Sequence, residues 1–227
     1  FFSSLFGYFF FVLFFVTGFA CFVVFFLRIR RPPRSTLDRS SAASDVYKRQ
    51  VVYRPSDRKY LLFFKGNIYD PNWRGVHGVA LGDSPTGPFT VTDNFVFDFD
   101  DGSGKKVSAE DPYVWYHRKD RCFYAVVKDF NGKLTGSEPG LAILTSADGI
   151  SWNPAPVPLF MKKELILKDG THLKVDRLER PQLLLNENDD PIVLYAACSV
   201  DPCNAKQDGG TFNVQIALKK NKINRKD

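Results

Sequence analysis

The sequence predicts an all-β chain, an incomplete β-propeller of which about three blades are present. Three observations carry that prediction. Short apolar runs recur as a repeating unit, helical periodicity never persists beyond a turn or two, and Gly, Pro, Asn and Asp separate the runs.

Each unit opens with one strand: Val51-Val-Tyr-Arg54, then Asp111-Pro-Tyr-Val-Trp-Tyr116, then Arg180-Pro-Gln-Leu-Leu-Leu185. A second strand follows in each: Tyr60-Leu-Leu-Phe-Phe-Lys-Gly66, Phe123-Tyr-Ala-Val-Val-Lys-Asp129 and Pro191-Ile-Val-Leu-Tyr-Ala-Ala197. The third strands are Gly78-Val-Ala-Leu-Gly-Asp83, Gly140-Leu-Ala-Ile-Leu-Thr145 and Phe212-Asn-Val-Gln-Ile-Ala-Leu218. Ser84-Pro-Thr-Gly-Pro-Phe89 and Ser146-Ala-Asp-Gly-Ile-Ser-Trp152 are matching closures, each a turn that ends on an aromatic residue. Turns are expected at Asp57-Arg58, Asn131-Gly132 and Asn188–Asp190. A period of 60 to 70 residues suits a blade of three or four antiparallel strands. A β-sandwich, the alternative for such strands, does not repeat at this length.

Charge and phenylalanine are unevenly placed. The 227 residues hold 31 Lys+Arg against 25 Asp+Glu, net +6, with 22 Phe, of which twelve fall before residue 27. The stretch 28–50 contributes +5 and 219–227 contributes +4, which leaves Val51–Leu218 at −3. A domain of that sign has no basic footprint, so nucleic acid is not an expected partner. A 44% hydrophobic content excludes a disordered chain.

Residues 1–27 carry no charge and are long enough to cross a bilayer, with a basic cluster behind them. On that reading the chain is membrane-anchored. A second reading competes. Ser40–Gln50 is the in-frame translation of the transposase adapter used in short-read sequencing libraries. Ile29–Thr36 matches the translated flow-cell adapter that precedes it, and the three residues between fill the space of an index. Residues 1–50 are therefore expected to be non-native and are set aside from fold reasoning. The domain is then 51–218, cut at its N-terminal side, with a basic tail at 219–227.

The inner strand of a propeller blade lines the central channel, so polar residues at its start point into a shared funnel. Ser108-Ala-Glu-Asp-Pro-Tyr-Val-Trp115 opens the second unit and Arg177-Leu-Glu-Arg-Pro-Gln182 the third. Carboxylates gathered there suit glycoside cleavage, in which one donates a proton to the leaving oxygen and another activates water or attacks carbon.

The Ala-Glu-Asp-Pro strand, the Leu-Glu-Arg-Pro strand and the Ser-Pro-Thr-Gly-Pro-Phe closure resemble the five-bladed propeller glycoside hydrolases. That clan holds families 43 and 62, with the related families 32, 68 and 117. The resemblance spans most of Val51–Leu218. It implies that Asp111 orients the acid and tunes its pKa, and that Glu179 is the general acid. It also implies a third carboxylate, base or nucleophile, from a blade not in this chain, so the chain alone is expected to be inactive. A structural calcium, which some relatives carry, has no assignable ligands here. No metal or cofactor is expected otherwise, and the analogy places such an enzyme outside the cytoplasm.

Further candidates are substrate contacts. Arg180 is suited to hydrogen-bond a sugar hydroxyl, His77 lies between glycines in an expected loop, and Lys128 ends a strand that reaches toward the funnel. Trp115, Tyr113 and Trp73 are candidate stacking platforms, of which one is expected to serve. Glu110 faces away from Asp111 if the strand is extended. His117 and His172 fall in expected loops. Cys198 and Cys203 either close a small disulfide loop or remain thiols. A non-catalytic propeller that binds carbohydrate or protein is the alternative to the enzyme. Oligomeric state, sugar and linkage are not legible.

Overall fold

The computed structural model describes residues 49–68, 74–100, 103–107, 109–200 and 211–219, and every regular element among them is a β-strand. The apolar segment 1–27, the adapter-like stretch up to residue 48, Trp73, Cys203 and most of the basic tail lie outside the described residues. No helix of the described residues is long and apolar enough to cross a membrane.

Three antiparallel sheets follow one another along the chain. The first has the order β1 (Arg49–Arg54), β2 (Lys59–Ile68), β3 (Arg74–Gly82), β4 (Phe89–Val96). A two-stranded hairpin, β5 (Phe99–Asp100) with β6 (Lys106–Val107), leads to the second sheet. That sheet runs β7 (Ala109–His117), β8 (Cys122–Asp129), β9 (Gly140–Ser146), β10 (Asn153–Lys162). A second hairpin, β11 (Glu164–Ile166) with β12 (His172–Lys174), precedes the third sheet of β13 (Arg177–Leu185), β14 (Pro191–Ser199) and β15 (Phe212–Ala217). The nine strands expected from the repeat are the first three of each sheet.

The turns have local causes. Arg58, Arg121 and Asp189 all have positive φ and stand at the same corner, between the first and second strand of successive sheets. Arg54 clamps Asp57 with two hydrogen bonds of 2.8 and 2.7 Å at the first corner. At the second, the Arg118 guanidinium reaches across to Asp189 of the third sheet at 2.7 Å. Gly132 is required where it stands: its φ is +74°, and a Cβ there would lie 1.7 Å from the carbonyl oxygen of Ser137.

Side-chain alternation stacks the sheets face to face. Leu61, Phe63 and Val79 of the first sheet pack on Val114, Ala125, Val127 and Leu144 of the second. The opposite face of the second sheet, with Trp115, Tyr124, Val126 and Leu141, packs on Leu178, Leu194 and Ala196 of the third. Each fully buried aliphatic side chain stabilises this stack by about 1.5–3 kcal/mol.

Two expectations change. Each of the first two sheets gains a fourth strand, beginning at Phe89 after the first closure and at Asn153 after the second. β10 reads poorly as a strand because Pro154, Pro156 and Pro158 remove ladder donors; it is an edge strand whose pairing with β9 is interrupted twice. Among the described residues β1 takes in Arg49 and Gln50 as well as Val51–Arg54. Gln50 is tied to β7, accepting from the Val114 amide at 2.8 Å and donating to the Val114 carbonyl at 2.5 Å.

Candidate functional site

The site is made by a backbone irregularity that occurs twice. In β7, Glu110 pairs with Lys128 and the next paired residue is Tyr113, opposite Val126. In β13, Glu179 pairs with Ala197 and the next is Gln182, opposite Tyr195. Each inner strand thus carries one extra residue at the same place, a β-bulge. The bulged residues are Asp111 and Arg180, with φ of 51° and 54°. A left-handed conformation costs a residue with a Cβ about 1–2 kcal/mol, so the surrounding sheet must hold both in place. Pro112 and Pro181 follow, in positions where a ladder donor is not needed.

The bulges turn Asp111 and Arg180 into one cavity of about 340 Å³, lined also by Phe63, Phe64, His77, Pro112, Gln182, Arg49 and Gln50. Asp111 is 6% exposed and His77 3%, whereas Arg180 and Gln182 are open to solvent. His77 lies within β3, not in the expected loop, and its ring meets Phe97 edge-on at 5.8 Å. The cavity offers an anionic acceptor, a guanidinium, an imidazole, an amide and an aromatic wall.

The residues just before the bulged positions do something else. Glu110 forms an ion pair of 2.5 Å with Lys65 of the preceding sheet, both side chains largely buried. Glu179 forms the same pair with Lys128, again from the preceding sheet. The Lys128 ammonium also sits 4.0 Å from the Phe130 ring centre. Glu179 therefore occupies the position of Glu110, and Arg180 that of Asp111. Neither Glu179 nor Lys128 lines the Asp111 cavity.

Trp115 is placed in the core rather than at the cavity. It is 4% exposed, stacks on Tyr124 at 5.4 Å, and its indole N–H donates to the Asp189 carbonyl at 3.1 Å. Tyr113 likewise turns to the third sheet, donating to the Leu183 carbonyl at 3.0 Å. Burial holds its phenol above the usual range. His117 is not in a loop but at the end of β7, fully buried, with Nδ1 accepting from the Asp120 amide at 3.1 Å. His172 starts β12 and pairs with Glu164 at 3.2 Å. Cys198 is a buried thiol in β14, pushed by burial up to about 11. No group of three or more metal-ligating side chains occurs among the described residues.

Six of the lining residues were not anticipated: Arg49, Gln50, Phe63, Phe64, Pro112 and Gln182. The extra residue at Arg180 breaks the alternation of the strand, so spacing along the sequence did not point to Gln182. Phe64 carried no signal, because it sits in an unbroken apolar run.

No family model matches the chain, and no curated protein matches it. Solved structures do. An endo-1,4-β-xylanase from Bacteroides thetaiotaomicron aligns over 81% of this chain and 58% of its own, at 10% identity with a TM-score of 0.50. The catalytic domain of a family 62 α-L-arabinofuranosidase from Coprinopsis cinerea aligns over 79% of this chain and 49% of its own, at 14% identity and TM-score 0.43. An endo-1,5-α-L-arabinanase from Thermotoga petrophila aligns over 68% and 34%, at 18% identity and TM-score 0.41. Of these three, the xylanase alignment bears on the fold, and at that identity on the fold alone. The chain spans between about a third and three-fifths of the length of these structures.

Proposed function

We propose that this chain belongs to a glycoside hydrolase of the five-bladed propeller type that acts on poly- or oligosaccharide by carboxylate general acid–base catalysis. What carries the reading is the paired bulge. Two successive inner strands each accept a left-handed residue, and both turn a functional side chain into a cavity that also holds Phe64, His77 and Gln182. Strain of this kind concentrates at working sites.

In this reading Asp111 orients the acid and tunes its pKa, and Glu179 is the acid. Arg180 and His77 hydrogen-bond the sugar, and Lys128 positions Glu179. To act as the acid, Glu179 leaves its Lys128 ion pair, takes up a proton from water and donates that proton to the glycosidic oxygen. The base or nucleophile is assigned to a blade outside this chain, so turnover by the 227 residues alone is not expected. Asp111 is the only carboxylate among the described residues lining the cavity, which favours a second reading: a propeller that binds carbohydrate without cleaving it.

Two measurements separate the readings. Titration calorimetry of the 227-residue chain with arabino-, xylo- and galacto-oligosaccharides reads binding. Asp111→Asn is expected to weaken it about 10-fold, the equivalent of one charge-assisted hydrogen bond. Failure to bind any sugar overturns both readings. In a full-length homologue, Glu179→Gln is expected to abolish hydrolysis of an unactivated glycoside and preserve binding. Glu110→Gln, which breaks the same ion pair one sheet earlier, should leave turnover intact. Equal losses in the two variants would assign Glu179 to the sheet-to-sheet ion pair alone.

A further inference from the structure

The third sheet has three strands where the first two have four. Among the described residues β15 (Phe212–Ala217) is therefore the last strand of its sheet and pairs on one side only. The corresponding edges of the other two sheets are blunted. β4 carries Asp93, and its pairing with β3 is interrupted between Gly78 and Ala80. β10 carries three prolines, and its pairing with β9 is interrupted twice. Charge, proline and bulges are the usual means of keeping an open edge from adding a strand of another chain. β15 has none of them. Its sequence is Phe-Asn-Val-Gln-Ile-Ala, and its residues pair with β14 in unbroken register.

The register fixes what that edge presents. The Leu218 amide donates to the Ile192 carbonyl at 2.9 Å, so position 218 directs its backbone groups toward β14. In an antiparallel ladder that direction alternates along the strand. Val214 and Ile216 therefore also bond inward, and Asn213, Gln215 and Ala217 turn their N–H and C=O groups outward. The side chains alternate on the same period. Val214 and Ile216 pack on the core between the second and third sheets, and Asn213, Gln215 and Ala217 stand exposed on the opposite face.

Such an edge is complementary to itself. Two copies of β15 related by a two-fold axis at Val214 run antiparallel, with Val214 opposite its own copy. Phe212 then meets Ile216 of the other chain, and Asn213 meets Gln215. Outward backbone groups meet outward ones, apolar side chains meet apolar ones, and amides meet amides. The two Asn213–Gln215 pairs alone exchange four backbone hydrogen bonds. The strand carries no charge, so nothing on it repels its copy across the axis. Phe212, 38% exposed in the single chain, gains the Ile216 side chain as a cross-strand neighbour.

We propose that the edge of β15 is an isologous docking surface for a second copy of this chain, which joins the two third sheets into one continuous sheet. β13, which carries Arg180, is the opposite edge of the same sheet, and no β15 residue lines the Asp111 cavity. The pairing therefore stands apart from the sugar-site reading. One strand pair covers less than the roughly 1,600 Å² of a standard interface, so the dimer is a weak one, with a Kd on the order of 10 μM or above.

Sedimentation velocity of the 227-residue chain between about 1 and 300 μM reads the association. A concentration-dependent shift from monomer to dimer is expected. Gln215→Pro removes an outward N–H that no bond within the sheet uses. It should leave the far-ultraviolet circular dichroism unchanged. By symmetry it removes two hydrogen bonds from the dimer, and association should weaken about 10-fold or more. Two cysteine variants under mild oxidation test the register. V214C opposes two thiols in a non-hydrogen-bonded pair, where Cα atoms stand about 4.5 Å apart, within disulfide reach. It should give a covalent dimer on a non-reducing gel. A217C lies about 20 Å along the strands from its copy and should give no more than the wild-type chain, whose own thiols set the background.

A chain that stays monomeric throughout overturns the proposal. So does dimerisation that survives Gln215→Pro undiminished, which would place the contact elsewhere in the chain. If the proline variant loses its fold, the cysteine pair still decides: crosslinking of V214C no greater than that of A217C overturns the pairing.

Discussion

Removing the carboxylate of Asp129 should cost the protein a large part of its stability. Asp129 ends β8 and is fully buried. Its oxygens accept the amides of Gly132, Leu134 and Thr135 at 3.0 Å each, and the Thr135 hydroxyl at 3.1 Å. The turn after β8 is thereby wrapped around one side chain, and Leu134, 6% exposed, is pressed into the core between the first two sheets. Alanine leaves four backbone donors without this acceptor, the Asn131 amide at 3.4 Å being the fourth and weakest. Two of these hydrogen bonds are buried, and each orphaned donor there costs about 1–3 kcal/mol. The Thr135 amide is partly buried and recovers some of its loss from water. The expected destabilisation is about 3–5 kcal/mol, against the 5–15 kcal/mol typical of a whole domain. Asp129→Asn keeps one acceptor and should lose about half as much. Urea titration followed by the fluorescence of the buried Trp115 and Trp152 reads the shift in midpoint. A loss below about 1 kcal/mol for the alanine variant, or wild-type stability for asparagine, would refute the argument.

Other predictions follow from the same structure. Gly132→Ala meets both a positive φ and a backbone oxygen 1.7 Å from the new Cβ, so the turn must deform. A fall in melting temperature of several degrees is expected, corresponding to roughly 2 kcal/mol or more. Burial works to raise the Asp148 carboxyl, but the amides of Ser151 and Ile150 and the hydroxyls of Ser146 and Ser151 outweigh it and hold it below the usual carboxylate range. Because the folded value lies below the unfolded one, its stabilisation is present above about pH 4 and fades as pH falls through the folded value. Asp148→Asn should therefore flatten the acid limb of a stability–pH curve. A limb unchanged in slope would contradict this. The Cys198 thiol, pushed by burial up to about 11, should resist iodoacetamide at pH 8 in the native protein and react after denaturation, as peptide mass spectrometry of that position would show.

Much of the architecture was legible because its causes are local. Tyr60–Gly66, Phe123–Asp129 and Pro191–Ala197 are apolar runs bounded by residues that favour turns, and short-range sterics suffice to make them strands. The corners at Arg58, Gly132 and Asp189 follow from the same chemistry. A fourth strand per blade was allowed for but not placed. At β10 three prolines argue against a strand, and only its edge position tolerates them.

Of the candidate residues, the sequence named some that the structure brings together. Asp111, Arg180 and His77 were named from the sequence and share one cavity, whereas Trp115 has the composition of a sugar platform and the surroundings of a core residue. An aromatic side chain reads the same in either place until its neighbours are known. Asp129, read only as the end of a strand that reaches the funnel, proved to be the anchor of a turn.

What the sequence alone determined is the repeat: three units of β-strands, their order, and the turns that join them. Alternation and turn chemistry act within a few residues and need no partner. The tertiary structure decided which side chains meet. The bulges that aim Asp111 and Arg180, and the pairing of Glu110 with Lys65 and Glu179 with Lys128, depend on register between strands and on contacts across 45 and 51 residues of chain. A shift of one residue in a strand reverses every side chain on it, so a local pattern names the candidates and only the register says which way each one faces.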